Sequence, residues 1–162
     1  MRRVIVNSTP MIALSKIGRL NILKKLYSEV TIPQAVFDEV TAKEDSPCRQ
    51  IKDNSEWIKV IPVGESSDDR MYKSRLHAGE VEVMKLARQN PVADLVIIDD
   101  NEAKKTAKFL GLNVTGTIGV LIKAKKEGAI ATVMPEIDKL AECGFYIDER
   151  LKEYIRNSCG EQ

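Results

Sequence analysis

The sequence predicts a three-layer α/β/α domain, with helices on both faces of a mainly parallel central sheet. Three observations carry that expectation. Short β-branched runs alternate with segments of helical period along the chain, the pattern of β-α-β units. The clearest run, Leu95-Val96-Ile97-Ile98, is apolar on both faces, as a strand covered on both sides of a parallel sheet must be. The chain has 162 residues, 43% of them hydrophobic, and a domain of that length removes roughly 70% of its unfolded surface from water.

Val4-Ile5-Val6 reads as a short buried strand, and Ser8 or Thr9 as the cap of a helix with Pro10 in its first turn. Ile12, Leu14, Ile17, Leu20, Ile22, Leu23 and Leu26 continue as two short helices broken at Gly18. Val30-Thr31-Ile32 is extended, and Pro33 opens a helix running to about residue 43. Trp57-Ile58-Lys59-Val60-Ile61 reads as a strand at the sheet edge, followed by a loop over Gly64-Glu65-Ser66-Ser67-Asp68-Asp69. A helix is expected over 78–89, then the strand at Leu95 and a helix over 101–110. A short strand at Asn113-Val114, a helix over 118–126 and two C-terminal helices from about residue 132 complete the series. With no internal repeat, low-complexity tract or linker, residues 1–162 are expected to form a single domain.

Composition narrows the function classes. No apolar run approaches the ~20 residues that span a bilayer. The run behind Arg2 and Arg3 stops at Val6, so no secretory leader is expected. Cys48, Cys143 and Cys159 are odd in number and lack metal-site spacing, which suits free thiols in a reducing cytoplasm. The formal net charge is +1, but it is unevenly spread. Residues 29–69 hold ten acids and four bases, whereas 101–126 hold six lysines and one glutamate. Such clustering usually marks a solvated face, and a basic stretch also suits phosphate contacts.

In parallel sheets, functional groups collect just beyond the carboxyl ends of the strands. Asn7 follows the first strand and Asp99-Asp100 follow the Leu95 strand. Asp99-x-x-Glu102 matches a capping box, which accounts for one aspartate and leaves the other spare. At ~100° per residue, Glu80 lines up with Val83, Met84 and Ala87 on the apolar face of its helix. A carboxylate there must be paired, protonated or bound to a cation, unless it merely favours the helix dipole from the first turn. Glu39 flanks the core-facing set Val36, Phe37 and Val40, by itself an ordinary boundary position. Together these acids outline one crevice. His77 is the sole histidine and reads as a loop or cap residue. Oxygen-only ligation selects Mg²⁺ or Mn²⁺, and such sites perform phosphoryl chemistry with metal-bound water.

Other motifs fail. Gly111 and Gly116 have phosphate-loop spacing, but Thr117 stands where the lysine belongs. Ser74 lies in no nucleophile elbow, and no glycine-rich dinucleotide fingerprint follows a strand. A receiver domain carries its acidic pair on the first strand, where this chain has Asn7.

The opening Val4-Ile5-Val6-Asn7-Ser8-Thr9-Pro10-Met11-Ile12-Ala13-Leu14 resembles the first strand and helix of PIN-like domains. So do Ile32-Pro33-Gln34-Ala35-Val36-Phe37-Asp38-Glu39-Val40, Ala78-Gly79-Glu80-Val81-Glu82, Ile97-Ile98-Asp99-Asp100 and Val114-Thr115-Gly116-Thr117-Ile118-Gly119-Val120-Leu121. The combination is similar to a prokaryotic PIN-like branch of predicted nucleic-acid-binding proteins, related to toxin–antitoxin ribonucleases. The resemblance implies RNA cleavage by Mg²⁺ or Mn²⁺ held at four acidic places. By order these fall on Asn7, Glu39, Glu80 and Asp99, with Asp100 adjacent; the first is usually an aspartate and here is an amide. RNA contacts are expected from the basic stretch, at Lys104, Lys105 and Lys108 with Thr115 and Thr117 nearby, and a small antitoxin or a second copy of the chain is the expected partner. Two alternatives remain open: an RNA-binding module of the same fold without turnover, and a Mg²⁺-dependent phosphatase acting on small esters.

Overall fold

The computed structural model describes residues 2–65, 69–73, 76–89 and 91–162. The centre of the expected loop at 64–69 and Ser74 lie outside the described residues.

Strand β1 (Val4–Val6) is buried along its whole length and sits in the middle of the sheet. Helices α1 (Ser8–Lys16) and α2 (Asn21–Tyr27) lead to β2 (Val30–Pro33), then α3 (Gln34–Val40) and α4 (Ser46–Asp53) lead to β3 (Ile58–Ile61). Helices α5 (Asp69–Lys73) and α6 (Ala78–Ala87) precede β4 (Leu95–Ile97), and α7 (Asn101–Phe109) joins it to β5 (Val114–Thr115). The chain finishes with α8 (Thr117–Lys126), α9 (Met134–Glu142) and α10 (Glu149–Cys159). All four strand pairings are parallel, in the order β3-β2-β1-β4-β5, with β3 at an edge as expected. Helices cover both faces of this sheet, giving three layers. The register Val4↔Leu95, Ile5↔Val96, Val6↔Ile97 places the ends of β1 and β4 side by side.

That strand order is the doubly wound one. From β1 the chain winds outward through β2 and β3, then returns to the other side for β4 and β5. The direction reverses between β1 and β4, and crevices form beyond the carboxyl ends of strands at such a point. Asn7 and Asp99 flank it. Beneath these strand ends Ile5, Val6, Val96, Ile97 and Ile98 are wholly inaccessible.

Several local expectations are corrected. The cap position of α1 falls on Asn7, and Ser8 is already helical. The helix after Pro33 ends at Val40, where Thr41 Oγ1 donates to Phe37 O at 2.7 Å. A new helix, α4, then begins because Asp45 accepts from Cys48 N at 3.1 Å and Pro47 occupies the first turn. The Asp45-Ser46-Pro47 signature carried that helix start unread. Helix α5 was likewise not anticipated.

One carboxylate makes three of the bonds that hold the C-terminal helices. Glu161 accepts from Val133 N at 2.7 Å, Met134 N at 3.0 Å and Lys125 Nζ at 2.8 Å. It thereby caps α9, whose own cap position, Val133, has no side-chain acceptor. A second tie joins Arg19 to Glu136 in the first turn of α9 at 2.8 Å. No helix among the described residues is long and apolar enough to cross a membrane.

Candidate functional site

Two aspartates end β4, and the structure divides their work. Asp100, not Asp99, caps α7, accepting from Ala103 N at 2.9 Å. Asp99 is the spare one. It reaches sideways to the start of α8 and accepts from Thr117 N at 2.8 Å and Thr117 Oγ1 at 2.6 Å. Thr117 is fully buried, so its hydroxyl orients Asp99 rather than facing solvent. Gly116 makes this approach possible. A methyl group there would sit 2.7 Å from Asp99 Oδ1 and 3.0 Å from Lys104 Nζ, so it also locates the Lys104 ammonium beside Asp99. At Gly119 a methyl would collide with Thr115 Oγ1.

Glu80 is 2% exposed, on the buried face of α6 as its helical position predicts. One oxygen accepts from His77 N at 3.3 Å and lies 3.4 Å from His77 Nε2. His77 holds the cap position of α6, so the pair closes the helix start. Burial drives the Glu80 carboxyl above its ordinary range, against the His77 contacts that lower it. The carboxylates of Asp100 and Glu39 push in the same direction as burial, so the field of all three acids meets here.

Asn7 is 2% exposed, and its Oδ1 finds no hydrogen-bond partner among the described residues. It does not cap α1, although its backbone N donates to Ile97 O at 2.9 Å and fixes it to the β4 end. Two other buried oxygens share this condition, Tyr27 Oη and Glu136 Oε2. The first lies in the ring that carries Arg2 and Lys123 on its face, and the second belongs to the Arg19-paired carboxylate. The Asn7 oxygen differs in its company. A methyl at Gly79 would lie 3.8 Å from Asn7 Oδ1 and 3.5 Å from Glu39 Oε2. Gly79 therefore keeps open the space into which the amide and the Glu39 carboxylate both project. Glu39 itself is exposed.

Asn7 and Asp99 follow the adjacent ends of β1 and β4, and the Glu80 carboxyl feels the charges of Asp100 and Glu39. Asn7 and Glu39 share the Gly79 space; Asp99 and Lys104 share the Gly116 space. Among the described residues, no three His, Cys, Asp or Glu side chains gather closely enough to hold an ion between them. An unpartnered, buried amide oxygen beside a carboxylate nevertheless suits a hard cation, and Mg²⁺ keeps several waters and takes only one or two protein carboxylates. Lys105 and Lys108 are exposed on α7, and Thr115 is partly buried on β5. Sequence reasoning gave neither glycine a role at the site. Gly79 alone carried a weak signal, since glycine inside a helix is costly relative to alanine.

No curated protein matches the chain. The parallel sheet in doubly wound order, the acids beyond the β1–β4 seam, and a match over residues 3–161 to the family DUF3368, described as a PIN domain, agree: this chain belongs to that PIN-domain family and has the PIN-type nuclease fold.

Proposed function

We propose that the chain is a metal-dependent ribonuclease, with Glu39, Glu80 and Asp99 as its catalytic acids. Asn7 and Asp100 complete the set that would hold Mg²⁺ or Mn²⁺. The observation that carries this reading is the Asn7 oxygen, buried, unpartnered and facing the same opening as Glu39. A bound ion supplies an acidified water and neutralises charge on the phosphodiester. The chain's own residues do the rest. Thr117 holds Asp99 in one orientation through two hydrogen bonds. Glu80, raised by burial, is able to keep or accept a proton closer to neutrality than an exposed glutamate. Lys104, beside Asp99, places a positive charge where a phosphate would approach; Lys105 and Lys108 are exposed farther along α7, and Thr115 is partly buried on β5. Such an enzyme in the cytoplasm would fit the toxin of a toxin–antitoxin pair, restrained by a small protein partner or assembled as a homodimer.

A second reading, an RNA-binding module without turnover, is favoured by one fact: an amide stands where a fourth carboxylate would add negative charge. The test is cleavage of a labelled single-stranded RNA with Mn²⁺, with Mg²⁺ and with EDTA. Metal-dependent cleavage that Glu80→Gln and Asp99→Asn both abolish supports the nuclease. RNA binding without cleavage in any metal supports the module, and hydrolysis of a chromogenic phosphate ester without RNA cleavage supports a phosphatase.

A further inference from the structure

Phe109 is the most exposed large apolar side chain among the described residues, at 88%. It ends α7, whose buried side is Ala103 and Ala107. At ~100° per residue, Lys105, Lys108 and Phe109 fan across about 100° of the opposite, solvent-facing side. Lys105 is 76% exposed and only loosely paired, its Nζ 3.8 Å from Glu102. On that fan Phe109 stands at one edge, next to Lys105 and about 100° from Lys108, so the outer face offers an aromatic surface beside positive charge. The next most exposed ring, Tyr146, precedes a segment of mixed charge, Asp148-Glu149-Arg150.

The placement of α7 gives the patch a direction. The helix begins at Asp100 beside the crevice, with Lys104 Nζ close to Asp99, and runs away from it. From its cap to Phe109 is about 13 Å, the length of about four stacked nucleotides. Cations therefore descend from the crevice to an exposed ring. Positive charge along a track combined with an aromatic face is what single-stranded nucleic acid requires, because every base offers a π-face and every linkage a phosphate. A duplex hides those base faces. A protein partner fits less well, since lysines are depleted at the centres of protein interfaces.

We infer that the outer face of α7 is a docking track for single-stranded RNA, with Phe109 stacking on a base about four nucleotides from the phosphate at the crevice. Lys105 and Lys108 neutralise the intervening phosphates. The identity of the polymer rests on the ribonuclease reading; the track itself rests on Phe109 and its neighbours.

The experiment is equilibrium binding of a twelve-nucleotide single-stranded RNA carrying 2-aminopurine, in EDTA, alongside its duplex. Wild type is expected to prefer the single strand and to quench the fluorescent base. Phe109→Ala weakens binding by about tenfold and removes the quenching, leaving the salt slope unchanged, whereas Phe109→Trp restores both. Replacing Lys105 and Lys108 by alanine lowers the salt slope by about 1.4, two single-strand phosphate contacts. Wild-type binding that Phe109→Ala leaves intact overturns the inference and spares the ribonuclease reading. Phe109-dependent binding without metal-dependent cleavage supports the track and removes the nuclease. Self-association of the wild type that Phe109→Ala abolishes, with RNA affinity unaltered, makes the patch a protein interface and overturns the track.

Discussion

Asp99 and Thr117 hold one another across eighteen residues of chain, the carboxylate of β4's end receiving both the backbone N–H and the hydroxyl at the start of α8. The bond makes Asp99 a tertiary cap for α8 and fixes a crevice acid to the helix beyond β5. Thr117→Val keeps the shape and removes the hydroxyl, and should cost about 1–2 kcal/mol in urea unfolding. Gly116→Ala should displace the Asp99 carboxylate and lower metal-dependent cleavage further than it lowers stability. Equal cleavage in wild type and Gly116→Ala would show that the position of Asp99 is immaterial.

Gly79 separates stability from function. Its conformation is an ordinary helical one, and a methyl there meets neighbours only at normal contact distances of 3.5–3.8 Å. Gly79→Ala is therefore expected to hold or raise stability, by up to about 1 kcal/mol. The methyl enters the space shared by Asn7 Oδ1 and Glu39 Oε2, so Mn²⁺ binding measured by calorimetry should weaken. A more stable variant with unaltered Mn²⁺ affinity would move the ion away from this opening.

Glu80 sets a pH dependence of definite sign. Its folded carboxyl binds a proton more readily than the unfolded one, whose ordinary value is 4.5. The folded state therefore holds the extra proton as pH rises above that value, and stability declines as pH passes through the raised folded pKa. Glu80→Gln removes the ionisation and can still accept from His77 N. Melting curves should show the variant above wild type near neutral pH without divalent ions, the two converging on acidification. Parallel melting curves across the range would count against a strained Glu80.

Asn7→Asp tests the one amide among the crevice acids. The aspartate adds a negative charge next to Glu39 and should tighten Mn²⁺ binding by about tenfold. It should also lower the melting temperature of the metal-free protein, since like charges share the opening and its buried surroundings resist ionisation. Calorimetry and thermal melts with and without Mn²⁺ read the two effects separately. Loss of stability with no gain in Mn²⁺ affinity would strike Asn7 from the metal set.

Glu161 contributes a second pH dependence, of opposite sign. Burial works to raise its pKa, but hydrogen bonds from Lys125 Nζ, Met134 N and Val133 N outweigh that and bring it down to about 2. A depressed carboxylate contributes stability that is present above the ordinary value of 4.5 and lost as pH falls toward 2. Glu161→Ala should cost about 1 kcal/mol, the value of a helix cap. Hydrogen exchange should localise the loss to the first turn of α9 and to α10. Uniform exchange changes would mean that the tie is not local.

The architecture was legible because β1 and β4 are short, β-branched and apolar on both faces, a pattern that buried parallel strands share with little else. Glu80 was legible too, since a carboxylate on a helix's apolar stripe is conspicuous at any scale of inspection. The division of labour between Asp99 and Asp100 was not. Both satisfy the local rule for a cap, and the choice is made by Thr117, eighteen residues downstream. The roles of Gly79 and Gly116 were unreadable for a related reason: a helical glycine is noticeable, but which neighbour its absent side chain admits is set by distant chain. Helix α4 was missed differently, since Asp45-Ser46-Pro47 announced it but its helical run is short and mostly polar.

The central seam also dictates when the crevice is able to exist. Val4 pairs with Leu95, so β1 waits for a strand some ninety residues downstream before its second edge is covered. Closing so long a loop costs chain entropy before the contact rewards it, so this pairing is of the slow, non-local kind. During synthesis, β1 and β2 have the chance to meet long before β4 leaves the ribosome. Asn7 and Asp99, and the α8 start that orients Asp99, come together only once the chain is well past residue 117. The neighbourhood of Asn7 and Asp99 therefore depends on segments made more than a hundred residues apart, and no shorter stretch of the chain contains it.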